Sequence, residues 1–169
     1  MMLVRDATAA DLAAILPIHN QAVRETTAIW RTVESDMADR EAWLTGRAAA
    51  GFPVLVAEIN GAVAGYGSYG DFRTGQGYHL TVEHSVYVAQ GAQGRGVGRA
   101  LLAALIERAQ GQGRHAMIAG IEAGNAASIG LHISLGFVEV GRLPQVGAKF
   151  GRWLDLVLLQ LTLDARAAP

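Results

Sequence analysis

The sequence predicts an α/β protein built as one domain, with a mixed, mostly antiparallel central sheet flanked by helices. Three observations carry this. Asn60-Gly61 joins two apolar runs, and Asn-Gly is the strongest short signal for a two-residue hairpin. The strand-like run 79–88 leads through a glycine-rich turn at 93–98 into a helical run, 99–110, and then another apolar strand, which is a strand–helix–strand crossover. Apolar residues make up 51% of the 169 and charged residues 17%, enough to bury one sizeable core and too apolar for disorder.

In chain order, 4–5 begins a short strand, and Asp6, Thr8 and Asp11 offer helix caps. A helix follows over 12–26, anchored by Leu12, Ile15, Leu16 and Val23 and expected to kink or break at Pro17. The second helix, 39–50, stops at Gly51 and Pro53, and 54–58 pairs with 62–69 as the hairpin. Residues 70–77 form a polar, glycine-rich loop before the strand 79–88 and the helix 99–110, which Gly111 and Gly113 end. A buried strand at 115–121 and a helix at 125–135, stopped by Gly136, precede two last strands at 138–142 and 153–163. The domain therefore spans 1–164 and leaves 165–169 as a frayed tail.

Bulk chemistry excludes several classes of function. A net charge of −1 gives no electrostatic footprint for nucleic acid or an anionic membrane. No apolar run approaches the roughly 18 residues of a membrane span, and the start lacks the basic-then-apolar build of a signal peptide. A cytoplasmic location is the expectation. Without cysteine there is no disulfide frame, no thiolate metal site and no cysteine-bound acyl intermediate. His19, His79, His84, His115 and His132 show no ligand spacing, so no metal is expected.

The turn Gln93-Gly94-Arg95-Gly96-Val97-Gly98 is the most informative stretch. Its glycines let consecutive N–H groups face a ligand without interference from a Cβ, and the next helix turns its positive end to the same place. Each N–H to phosphate bond contributes roughly 1.5–3 kcal/mol. A ligand-free strand-to-helix turn has the same punctuation. A P-loop does not fit, because Arg99-Ala100 follow the last glycine instead of Lys-Ser/Thr. The dinucleotide pattern Gly-x-Gly-x-x-Gly does not fit either, although Glu122 lies at a suitable distance. The pattern Gln-x-x-Gly-x-Gly resembles the acetyl-CoA pyrophosphate loop of the GCN5-related N-acetyltransferases (GNAT). The run from Asn125 to Phe137 resembles the second signature of that family, with His132 at the usual tyrosine position.

This resemblance implies a GNAT fold with a splayed central strand pair and acetyl-CoA as co-substrate. Gly94, Arg95, Gly96, Val97, Gly98 and Arg99 would hold the pyrophosphate; the backbone of Val86, Tyr87 and Val88, with Asn125, would hold the pantetheine arm. In the strand 79–88 the even positions form an apolar face with one polar intruder, His84, while Glu83, Ser85 and Tyr87 face the other way. Glu83 is either the base that takes the amine proton or a salt-bridged surface carboxylate. His84 is either a satisfied core histidine or a substrate-contacting or water-relaying one. His132 is either the acid that protonates the departing thiolate or a packed helix-face residue.

Four blocks look like the phosphinothricin/methionine sulfoximine acetyltransferases: Asn20-Gln-Ala-Val with Trp30, 65–73, 81–88 and 145–155. That subfamily implies transfer of acetyl to the α-amine of small glutamate-like amino acids: L-phosphinothricin, L-methionine sulfoximine and L-methionine sulfone. It also implies a homodimer. Arg73, with Thr74 and Gly75, would clamp the acceptor's carboxylate, Trp30 would wall the pocket, and Glu83, His84 and Ser85 would line it. Lys149, Phe150 and Arg152 would contribute from a C-terminal hairpin. Each also has an ordinary reading as loop charge or packing. The rival functions are a GNAT enzyme acting on a polyamine or a protein N-terminus, and a non-catalytic acetyl-CoA-binding module.

Overall fold

The computed structural model describes every residue from Met1 to Pro169. The elements run β1 (Met2–Asp6), α1 (Leu12–Glu25), α2 (Met37–Ala49), β2 (Val54–Ile59), β3 (Ala62–Asp71), β4 (Thr81–Val88), α3 (Val97–Gly111), β5 (Ala116–Glu122), α4 (Ala126–Ser134), β6 (Val138–Lys149) and β7 (Arg152–Thr162). The seven strands lie in the order β1-β2-β3-β4-β5-β7-β6. Pairs β1–β2, β2–β3, β5–β7 and β6–β7 are antiparallel and β4–β5 is parallel. This is the mixed, mostly antiparallel α/β architecture that the sequence predicts. The parallel ladder joins Thr81–Glu83 to Ala116–Ile118 and ends there, while β5 goes on pairing with β7 as far as Glu122. The expected splay of the central strands begins at this point.

The chain divides into two compact units, Met1–Tyr69 with Ser85–Leu105, and Gly70–His84 with Ile106–Pro169. In the first, α1 buries Leu12, Ile15, Ile18, His19, Ala22 and Val23, the one-sided stripe of an amphipathic helix. Leu12, Ile15 and Ile18 pack on Val56 and Tyr66, and each such side chain contributes roughly 1.5–3 kcal/mol by leaving water. Pro17 neither ends nor splits α1. The carbonyl it deprives of a partner is that of Ala13, on the exposed side, where water can serve it. Asp36 caps α2 by accepting from the Asp39 N–H at 2.8 Å, so the helix starts at Met37 instead of residue 39. Asn60 and Gly61 both take positive φ, 52° and 84°, as the expected hairpin turn requires. β1 extends beyond 4–5 because Met2 to Asp6 all pair with β2. Arg5 bridges Asp11 and Glu58, and its hydrogen bonds hold the Asp11 carboxyl well below the usual carboxylate range.

In the second unit, β5 is buried almost throughout, with Met117 fully enclosed. β6 runs to Lys149, well past the expected end at 142. Register shifts at Glu139/Gly141 and Leu143/Gly147 absorb the residues that read as strand breakers. Gln145 takes a φ of 54° there and donates its N–H to Asp155 Oδ1 at 2.7 Å. In the expected tail, Arg166 donates to Asp164 Oδ2 and to the Gly113 carbonyl, both at 2.6 Å.

Candidate active site

The first unit carries the glycine cradle. Gln93, Gly94, Arg95 and Gly96 are exposed, and Gly94 and Gly96 take φ of 71° and 83°. A Cβ on either glycine would meet no atom within 4 Å, so their backbone conformation, and not local packing, is what calls for glycine. α3 starts at Val97, two residues before the predicted start, which makes Val97 and Gly98 its first turn. The first bond from the cradle into the helix runs from Ala100 N–H to the Gly96 carbonyl at 3.0 Å. The N–H groups of Val97 and Gly98 therefore have no carbonyl one turn back within the helix. Val97 itself is a buried anchor.

Tyr87 packs with Tyr66 at a ring separation of 5.3 Å and with His19 at 6.4 Å. Gly65 on β3 lets β4 and α3 come close: a Cβ there would lie 2.8 Å from the Tyr87 carbonyl and 2.9 Å from Val97 Cγ1. His19 bonds Tyr66 Oη at 3.0 Å, and burial with the Arg40 charge pushes it down to about 4. Trp30 is half-buried and spends its Nε1–H on the Thr27 carbonyl at 2.8 Å. What remains of it is an apolar ring.

The second unit carries the titratable groups. β4 starts at Thr81 and not at 79, because residues 79–80 continue the turn that follows the short 3-10 helix at 76–78. Glu83 is half-buried, its carboxylate in no ion pair or hydrogen bond. Burial raises its pKa, and the charge of Arg73 opposes the rise. Gly120 on β5 leaves space for the Glu83 side chain: a Cβ there would lie 3.2 Å from its Oε1. Arg73, Thr74 and Gly75 sit in the exposed loop, with the Arg73 guanidinium 5.2 Å from the centre of the Phe72 ring. Ser85, in the first unit, is exposed.

His84 of β4 and His132 of α4 meet. Their Nε2 atoms are 3.0 Å apart, and both side chains are buried. The rings lie 16° from parallel at 5.0 Å, with Phe137 packed edge-on against both. His132 Nδ1 bonds the Ser128 carbonyl at 2.7 Å. Burial pushes His84 down to about 3, with His132 adding to the effect; burial also lowers His132, against the Ser128 carbonyl. Asn125 is the N-cap of α4, its Oδ1 accepting from the Ser128 N–H at 3.1 Å, so α4 begins at Ala126. The alternating face of β4 and the histidine at the tyrosine position were the only clues to this pair, 48 residues apart.

Comparison with known proteins shows the family. Residues 15–137 match the acetyltransferase (GNAT) family. The chain is 58% identical over 168 residues, 98% of each chain, to an L-methionine sulfoximine/L-methionine sulfone acetyltransferase of Pseudomonas paraeruginosa. It is 44% identical over 156 residues, 92% of this chain and 79% of the other, to a phosphinothricin N-acetyltransferase of Alcaligenes faecalis. A solved acetyltransferase from Salmonella typhimurium with its cofactor acetyl-CoA superposes with a TM-score of 0.97 at 55% identity, covering 99% of this chain and 97% of the other. The glycine cradle, the β4 ladder that ends at Glu83 and these likenesses place the chain in the GNAT family, as an acetyl-CoA-dependent N-acetyltransferase.

Proposed function

We propose that the protein transfers acetyl from acetyl-CoA to the α-amine of small glutamate-like amino acids, by direct attack in a ternary complex. L-Methionine sulfoximine, L-methionine sulfone and L-phosphinothricin are the proposed acceptors. The observation that carries this reading is Glu83, a half-buried carboxylate at the end of the β4–β5 ladder with Gly120 leaving room for it; burial raises its pKa, and the charge of the exposed Arg73 opposes the rise. The pair suits an acceptor with an amine to deprotonate and a carboxylate to bind. The names of the relatives support the same substrate class.

The residues fit acetyl-CoA. Gly94 and Gly96 hold the positive φ of an anion cradle with no neighbour crowding them, and Val97 and Gly98 offer N–H groups at a helix start. We assign Arg95 and Arg99 to the same phosphates, and the backbone of Val86, Tyr87 and Val88 with the Asn125 amide to the pantetheine arm. A strand N–H from Val86 to Val88 polarises the thioester carbonyl. Acetyl-CoA supplies the acyl group and the thiol leaving group. Glu83, through water, takes the ammonium proton; Arg73, with Thr74 and Gly75, orients the acceptor; Trp30 offers an apolar wall. The proton for the departing thiolate is assigned to the His84–His132 pair.

No helix is long and apolar enough to cross a membrane, and a cytoplasmic homodimer is part of the proposal. Val146, Phe150 and Trp153 are exposed on the β6–β7 hairpin, Trp153 at 66%. Such side chains suit an interface between copies. Lys149 is buried next to Phe150, and burial lowers its pKa.

Arg73→Ala tests the reading. The KM for L-methionine sulfone is expected to rise at least about tenfold, the loss of one charged clamp, with the KM for acetyl-CoA unchanged. Removing the Arg73 charge also lets the Glu83 pKa rise further, so the acidic limb of the rate profile moves to higher pH. Equal losses for both substrates with an unmoved limb would make Arg73 structural.

A further inference from the structure

Each nitrogen of the histidine pair can be assigned from its partner. The Ser128 carbonyl only accepts, so His132 Nδ1 carries a hydrogen and donates it across 2.7 Å. In a neutral ring Nε2 is then an acceptor. It faces His84 Nε2 at 3.0 Å, a bond that holds one hydrogen, and that hydrogen must sit on His84. His84 Nδ1 is left as a bare acceptor, and it is buried with no hydrogen-bond partner. Three of the four ring nitrogens are used inside the protein and one is left over. A buried acceptor without a partner is unfavourable, so the arrangement calls for a donor from outside the chain. Adding one proton leads to the same atom. The bonds from His132 to Ser128 and to His84 keep one hydrogen each, so the third sits on His84 Nδ1 whichever ring carries the charge. The pair therefore exchanges protons at His84 and not at His132.

Building on the acetyl-transfer reading above, we propose that His84 Nδ1 is the proton shuttle of the transfer step and that His132 is its positioning residue. Glu83 first takes one proton from the acceptor's ammonium, which leaves a neutral amine. As the N–C bond forms the nitrogen becomes cationic, and His84 Nδ1 takes its surplus proton. As the C–S bond breaks, the same atom hands that proton to the departing sulfur, which leaves as the thiol. The amide nitrogen keeps one hydrogen, the pair starts and ends neutral, and one proton in total passes from Glu83 to solvent.

The surroundings suit this role. Burial keeps the pair uncharged at neutral pH, ready to accept, and makes a loaded pair quick to release. His84 feels burial and His132; His132 feels burial and the Ser128 carbonyl. Neither set of influences includes a carboxylate that would trap the proton. Phe137 fixes both rings edge-on, so the port atom is held in place.

Two experiments test the proposal. Nitrogen-15 NMR of the histidine side chains in the full-length protein at neutral pH is expected to show His132 as the Nδ1–H tautomer and His84 as the Nε2–H tautomer. His84 should not titrate between about pH 5 and about pH 8, the range of an ordinary histidine, and His132 should titrate below its ordinary value. A hydrogen on His84 Nδ1, or a doubly protonated ring, would overturn the assignment, and this arm needs no variant. In kinetics, His84→Asn keeps a polar group near the port but cannot carry a proton. It is expected to lower kcat about 100-fold with the acetyl-CoA KM and the melting temperature little changed. His132→Asn should cost less, about tenfold, and the double variant no more than His84→Asn alone, because the two act as a unit. Wild-type kcat in His84→Asn, or losses that multiply in the double variant, would overturn the shuttle. Failure of the underlying reading is distinguishable: the wild-type protein itself would release no thiol with any acceptor.

Discussion

Glu83→Gln is expected to lower kcat by about 100-fold or more, the scale of a lost general base, with acetyl-CoA affinity within about twofold. The sign of the pH effect follows from the environment. Burial raises the Glu83 pKa above its ordinary value near 4.5, so the basic form that the reaction needs disappears as pH falls through that raised value. The wild-type profile then has an acidic limb above the usual carboxylate range, and Glu83→Gln removes it. Stability should move the other way. A carboxyl whose pKa is raised in the folded state contributes stability at low pH and loses it as pH rises, so at neutral pH its ionised form is a burden. Glu83→Gln should therefore melt no lower than wild type at neutral pH. An inactive but more stable enzyme would mark Glu83 as a functional group held at the expense of the fold. An unchanged rate profile would remove it from the base role.

Gly65→Ala should give the largest stability loss of any single added methyl. Its Cβ would lie 2.8 Å from the Tyr87 backbone carbonyl, 2.9 Å from Val97 Cγ1 and 3.3 Å from Leu101 Cδ1. A carbonyl fixed in a strand cannot step aside as a flexible side-chain end can. Overpacking of this kind costs about 1–3 kcal/mol, readable as a lower denaturant midpoint. The displaced atoms belong to β4 and to the start of α3, so acetyl-CoA affinity should fall with it. Gly46 supplies the contrast. It lies inside α2, where a Cβ would meet nothing within 4 Å, and Gly46→Ala should stabilise by about 0.5–1 kcal/mol through helix propensity alone. The same substitution thus carries opposite signs at two sites. Equal effects would mean that the close approach at Gly65 is not tight.

Local chemistry made much of this fold legible. Asn60-Gly61 demanded a turn with two positive φ values, and that turn is present. The glycine run at 93–98 had to be a strand-to-helix turn, and α3 follows it directly. Breakers misled where tertiary pairing overrode them. Pro17 was expected to kink or break a helix that continues past it, because the orphaned carbonyl is on the wet side. Gly141, Pro144 and Gly147 hid the second half of β6, which pairing to β7 sustains through two register shifts.

At the site, the face alternation of β4 separated Glu83 from His84 correctly, since one is half-buried without a partner and the other enclosed. Sequence could not reveal that Arg73 acts on Glu83, or that His84 spends its Nε2 on His132. The first depends on where the 72–80 loop carries its charge and the second on a contact between β4 and α4, and neither leaves a periodic trace in the chain. Gly120 is similar: it reads as an ordinary strand glycine, and only the position of Glu83 explains it.

The most direct measurement is release of free CoA thiol from acetyl-CoA with a panel of amines: L-methionine sulfoximine, L-methionine sulfone, L-phosphinothricin, L-glutamate, spermidine and a peptide N-terminus. The chain contains no cysteine, so a thiol reagent reports product alone. Turnover with the sulfoximine, sulfone and phosphinate, and none with spermidine or the peptide, is the predicted result. Turnover confined to spermidine or the peptide, or tight acetyl-CoA binding with no turnover at all, would contradict it.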